Sequence, residues 1–143
     1  MAVLDRKNGK DILVYSNCIE TTSQNEFPER LAHVANECAI LIKKFSPDMV
    51  AVEKLYFSAN KKTAMLVSEV RGALLNTAQS RGIPTFEYSP SEIKSATTSS
   101  GNADKTQVAK MLHSLIKIEK EIEHDDEYDA IAVGVTHLAR YRP

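Results

Sequence analysis

Two hydrophobic periods alternate along this 143-residue chain, and their order restricts the fold more than any other feature. Asn8-Gly9 is a type I′ turn signal between the apolar runs Ala2-Val3-Leu4 and Ile12-Leu13-Val14-Tyr15, so residues 2–20 read as a β-hairpin. From Pro28 the period changes: Leu31, Val34, Cys38, Leu41 and Phe45 recur at helical spacing, and Ser46-Pro47-Asp48 ends that helix. Met49-Val50-Ala51-Val52 is a buried strand with Glu53 at its end. Beyond it the pattern predicts a helix over 62–79 with Gly72 in mid-helix, where close approach of another backbone would explain the glycine. A strand over 83–88, a short helical piece from Ser89 and a flexible Thr/Ser/Gly loop over 96–102 follow. Asp104-Lys105-Thr106-Gln107 has the capping-box pattern of a helix start, and that helix runs through Ile116. Residues 117–123 are an alternating charged, solvated stretch, and the last helix occupies 126–140. The order ββαβαβαα implies an α/β protein with a partly parallel sheet, made mixed by the hairpin.

Composition narrows the class. One domain with a real core is the expectation at this length. Hydrophobic residues at 43% and charged residues at 26% are ordinary for a globular protein, and no apolar run reaches membrane-spanning length. The N-terminus carries no apolar signal-peptide core, so a cytoplasmic protein is expected. Cys18 and Cys38 lack metal-ligand spacing and read as idle or buried thiols. A net charge of −1 does not advertise nucleic acid, so a DNA-binding chain of this balance must gather its lysines on one face.

Three carboxylates suggest chemistry. Asp126 and Asp129 are three apart, which puts both on one helical face, and Glu53 ends a strand. Acids so placed suit a hard divalent cation such as Mg²⁺, which takes a few carboxylate oxygens and keeps waters. A two-metal site also needs an acid from a central strand; Asp5 on the hairpin and Asp48 at the far end of its strand are poorly placed for it. Each residue has a plainer reading. Asp-x-x-Asp at a helix start favours the positive helix end, whereas Lys105 at a helix start opposes it mildly. Tyr56 and Phe57 are either core residues or stacking platforms. His124, beside Asp125 and Asp126, reads as a surface residue before a ligand, and His33, His113 and His137 as structural or exposed. Lys61 and Lys62 with Arg71 form either a solvated face or a phosphate contact.

Four blocks in order carry a resemblance: Ala51-Val52-Glu53-Lys54-Leu55-Tyr56-Phe57-Ser58-Ala59-Asn60, Glu87-Tyr88-Ser89-Pro90-Ser91-Glu92-Ile93-Lys94, Gly101-Asn102-Ala103-Asp104-Lys105-Thr106-Gln107-Val108 and Asp126-Glu127-Tyr128-Asp129-Ala130-Ile131-Ala132. Over almost the whole chain they resemble the RuvC family of Holliday-junction resolvases, bacterial endonucleases of ribonuclease H-like fold. The resemblance implies a ribonuclease H-like mixed sheet flanked by helices, in a single nuclease domain over 1–143. Family members begin with a strand and an Ile-Asp-Pro-Gly turn whose Asp binds metal. Met1-Ala2-Val3 matches the strand after it, so the first central strand is expected to be missing. Its absence would leave a vacant slot beside the hairpin and the strand at Glu53, and an inactive, poorly folded chain. Met1 is then an internal methionine taken as the start, or the truncation is genuine.

The resemblance assigns residues as well. Glu53, Asp126 and Asp129 match catalytic metal ligands for two Mg²⁺ ions, with Mn²⁺ as a substitute. Lys105 matches a catalytic lysine at the scissile phosphate, and Lys94 a basic residue on the DNA path. Tyr56 matches an aromatic that stacks on junction bases, with Phe57 as the alternative; Lys61 and Asn102 complete the DNA-binding set. The implied protein is a cytoplasmic bacterial homodimer, with the 62–79 helix as interface. It nicks four-way junction DNA symmetrically in recombination and repair, leaving 5′ phosphate and 3′ hydroxyl ends, alongside a branch-migration helicase complex and without a membrane. Two other functions compete: a non-catalytic junction-binding dimer, and a ribonuclease H-like RNA-processing factor. One departure is Ser99, where the family commonly carries a glycine.

Overall fold

The computed structural model describes residues 1–55 and 61–141, with the side chains of Lys61 and Lys62 left aside. The elements are β1 (Ala2–Lys7), β2 (Lys10–Ser16), α1 (Phe27–Phe45), β3 (Val50–Glu53), α2 (Lys61–Gln79), β4 (Thr85–Tyr88), α3 (Pro90–Thr98), α4 (Lys105–Leu115) and α5 (Asp125–Arg140). The predicted elements are all present, but three helices rather than two follow the last strand, because the short piece at Ser89 is a full helix, α3; most other boundaries move by one or two residues, while β2 ends at Ser16, before the expected residue 20. The strands pair in twos, β1 with β2 and β3 with β4. The chain divides into two compact units, one of residues 1–18 with the chain from Glu87 onward, the other of residues 19–86.

In the first unit Asn8 and Gly9 both take positive φ, 52° and 74°, the requirement of a two-residue type I′ turn. The antiparallel register pairs Lys7 with Lys10 and Ala2 with Ser16, with an irregularity between Val3 and Leu4. Arg6 and Asp11 close the turn end through a 2.6 Å ion pair. A two-stranded ribbon is marginal alone, and here α5 packs against both strands while α3 and α4 pack on α5. Gly134 lets β1 come close: a Cβ there would stand 2.6 Å from Leu4 Cδ1. Leu112, Ile131 and Thr136 are fully buried, with Ile93, Val108, Ile116, Ala132 and Val135 around them.

The loop expected over 96–102 is shorter than the composition suggested, because α3 continues through Thr98. Its start is locked by a reciprocal capping box between Ser89 and Glu92. The Thr97 and Thr98 hydroxyls bond back to the carbonyls of Ile93 and Lys94, so these threonines satisfy themselves inside the helix. The helix ends at Ser99, left-handed at φ 61°, whose N–H donates to the Ser95 carbonyl. Residues 117–123 are not helical; Lys117 makes a parallel bridge to Ile12 on β2.

In the second unit α1 starts with Pro28 in its first turn and ends at Ser46, also left-handed, whose N–H reaches the Ile42 carbonyl at 2.8 Å. The α1 and α2 helices pack on each other. Cys38, Leu41, Ile42, Ala64 and Ala78 are buried. Burial pushes the Cys38 thiol pKa up, against the opposing charge of Arg81, so it is an inert core thiol. The N–H of Val50 donates to the Pro84 carbonyl at 3.0 Å, at the start of the β3–β4 pair. Gly72 is exposed, and a Cβ there would meet nothing within 4 Å among the described residues. The close approach expected at Gly72 is therefore not made within the described part of this chain.

Candidate active site

The first turn of α5 carries Asp125, Asp126 and Glu127, and its N-cap, His124, makes no side-chain cap bond. Acids there are favoured by the positive helix end. Asp126 is exposed, and Asp129, on the same face one turn later, keeps 45% of its side chain in solvent. Opposite them α4 begins at Lys105, directly after its N-cap Asp104. Gln107 N–H donates to Asp104 Oδ1 at 2.8 Å and Asp104 N–H to Gln107 Oε1 at 3.0 Å, completing the expected capping box.

That cap aims Lys105. Its Nζ donates to Asp129 Oδ2 at 3.1 Å. The ammonium pKa is raised, first by this hydrogen bond, then by the charge of Asp129, with Asp125 and Asp126 adding to it. A lysine disfavoured by its own helix dipole is thus held by carboxylates on the neighbouring helix. The pair is exposed, so it contributes little to stability. Behind it, the Tyr128 hydroxyl lies 2.9 Å from His113 Nε2, joining α5 to α4.

The other predicted residues are carried by other segments of the chain. Lys94 is half-buried on α3, and Asn102 is exposed before α4. Glu53 is exposed at the end of β3, in the second unit, and Lys61 opens α2. Tyr56 and Phe57 fall outside the described residues. No group of three or more His, Cys, Asp or Glu side chains able to hold a metal occurs among the described residues. Asp126 and Asp129 nevertheless offer hard, solvent-reachable oxygen donors. One or two carboxylates with waters and substrate phosphates are a set that Mg²⁺ accepts, so this donor chemistry fits the cation.

Sequence reasoning missed Glu127. It is buried, at 3% exposure. Ser16 Oγ donates to its Oε1 at 2.6 Å, and Lys120 Nζ donates both to that oxygen and, at 2.9 Å, to the Ser16 carbonyl. Burial alone raises the carboxyl pKa, but the bonds from Lys120 and Ser16 and the lysine charge outweigh it, and the net shift is downward. The available signal was register: Glu127, Ile131 and Val135 lie four apart on one buried stripe.

The fold has its counterpart among solved structures in RuvC, which has a ribonuclease H-like fold. It superposes on Thermus thermophilus RuvC in complex with Holliday junction substrate with a TM-score of 0.87 at 27% identity, over 96% of this chain and 84% of that one. The chain belongs to the RuvC family: the family model for crossover junction endodeoxyribonuclease RuvC matches residues 1–137. It is 37% identical over 137 residues to the RuvC endonuclease of Caldicellulosiruptor saccharolyticus, covering 95% of this chain and 82% of that one. Against its counterpart from Petrotoga mobilis it is 39% identical over 135 residues, covering 94% and 83%.

Proposed function

We propose that this chain is a structure-selective endonuclease that resolves four-way DNA junctions in recombination and repair by Mg²⁺-dependent, symmetric phosphodiester hydrolysis. The observation that carries the reading is the Lys105–Asp129 contact at 3.1 Å beside Asp126, which couples a cation to carboxylates at one exposed place. Asp126 and Asp129 would hold two Mg²⁺ ions, or Mn²⁺, with Glu53 assigned to the same set by the family resemblance. Bound there, the ions would supply Lewis acidity at the scissile phosphate. Asp129 keeps the Lys105 ammonium next to the carboxylates, where it stabilises negative charge developing on phosphate oxygens. Lys94, Lys61 and Asn102 contact the DNA backbone, and Tyr56 or Phe57 stacks on junction bases. The working form is a cytoplasmic homodimer, one site per nicked strand, served by a branch-migration helicase complex.

The test uses protein extended at its N-terminus by the strand that the resemblance expects, a synthetic four-way junction and Mg²⁺. Asp126→Asn and Glu53→Gln are each expected to reduce nicking by at least about 10²-fold while junction affinity stays or rises, because each variant removes a carboxylate that repels phosphate. Nicking near the normal rate by Glu53→Gln would remove Glu53 from the site. The same result with Asp126→Asn would sink the metal assignment on α5.

A further inference from the structure

Metal ligands on a helix are only as well aimed as the helix start that bears them. The α5 N-cap, His124, places no side chain on the first-turn amides. The described structure supplies a different anchor. Glu127, between Asp126 and Asp129, turns inward and is 3% exposed. Its Oε1 accepts from Ser16 Oγ at 2.6 Å and from Lys120 Nζ, while Lys120 Nζ also donates to the Ser16 carbonyl at 2.9 Å. The three residues close a ring of hydrogen bonds. It spans the last residue of β2, the segment before α5 and the first turn of α5. Partners 111 and 104 residues apart in sequence are joined at one carboxylate oxygen and one carbonyl.

The pair joins the buried Glu127 carboxylate to a lysine that keeps 43% of its side chain in solvent, and desolvation of the carboxylate offsets much of the attraction, so it adds little stability over apolar side chains of similar volume. Its directional bonds do fix geometry. We propose that Glu127 is a positioning residue: through Ser16 and Lys120 it sets the rotation and depth of the first turn of α5, and so the aim of Asp126 and Asp129 at the metal. This rests on the nuclease reading above. Partners behind metal ligands typically change metal affinity 10- to 100-fold when lost, and Glu127 acts on two ligands through the backbone they share.

The decisive variant replaces both charges, Glu127→Met with Lys120→Met, which leaves no buried charge unpaired. Mn²⁺ binding is measured by titration calorimetry on the purified protein, together with thermal melting, junction affinity in EDTA and single-turnover nicking. The expected result is retained melting and junction affinity, a Mn²⁺ dissociation constant about tenfold higher, and slower nicking at a fixed Mn²⁺ concentration. Retained melting with Mn²⁺ affinity within about twofold of wild type overturns the positioning role. If the double variant does not fold, Ser16→Ala deletes one bond and keeps the ion pair. It should weaken Mn²⁺ binding about threefold, and unchanged affinity overturns the proposal. Asp126→Asn in the same titration separates the two ideas. If it keeps wild-type Mn²⁺ affinity and nicking, the metal reading fails and the positioning role with it. If it loses both while the double variant loses neither, only the positioning role fails.

Discussion

Lys105 and Ser99 are exposed residues whose local geometry conflicts with ordinary preference. Lys105 sits at the positive start of α4 and is compensated by Asp129. Because the pair is exposed, Lys105→Ala should leave melting almost unchanged. The single-turnover nicking rate should instead fall about 10²-fold with little loss of junction affinity, because the charge is needed most in the transition state. Equal losses in rate and affinity would make Lys105 a simple phosphate anchor. Ser99 holds φ at 61° to end α3, a conformation that disfavours side chains other than glycine. Glycine adopts that conformation without penalty. Ser99→Gly should stabilise the protein by about 0.5–1 kcal/mol, the relief of strain less the added freedom of the unfolded chain. A thermal melt checks the sign, and a lower midpoint would show that the Ser99 side chain contributes more than its backbone strain costs.

At the scale of elements, α5 organises its unit. One end carries the acids; near the other, buried His137 places Nδ1 2.8 Å from the Tyr88 hydroxyl and its ring 5.3 Å from that of Tyr141. Burial lowers the His137 pKa below its ordinary 6.5, so the folded state prefers the neutral ring and binds fewer protons than the unfolded chain. Stability is therefore full above pH 6.5 and declines as pH falls from there through the depressed folded value. Denaturant midpoints measured at pH 7.5 and 5 should show that decline in the wild type and a shallower one in His137→Gln. Equal slopes would remove His137 as its source. Ile131, between the two ends of α5, and Leu112 on α4 are completely buried, and Leu112→Ala should cost about 2–5 kcal/mol in urea unfolding.

For the whole molecule, the proposed substrate has two-fold symmetry, and two opposed cuts call for two sites related in the same way. On α2, Met65 is 62% exposed, and Gly72, two turns later on the same side, is exposed as well, which suits a face that a second copy covers. Sedimentation velocity at micromolar concentration should give a dimer for the wild type and a shift to monomer for Met65→Lys. A wild type that sediments only as monomer would overturn the dimer; a Met65→Lys protein that stays dimeric would move its interface elsewhere.

The sequence alone determined what short-range chemistry controls. Asn8-Gly9 permits few turns other than the one observed, the capping boxes at Ser89 and Asp104 start their helices locally, and the change between period 2 and period 3.6 marks the elements. The pairing of Asp126 with Asp129 was legible because it depends only on helical spacing. Where α3 ends was not: threonine, serine and glycine suggest a loop, but back-bonded hydroxyls and the burial of Thr97 carried the helix further. Tertiary structure alone decided that Lys105 on one helix start meets Asp129 on another, 24 residues away. It also decided that Glu127 turns inward to Ser16 while its neighbour Asp126 faces solvent. Local propensity treats those adjacent acids alike; only the partners that folding brings to one of them, Lys120 from the preceding segment and Ser16 from 111 residues away, outweigh the cost of burying its charge.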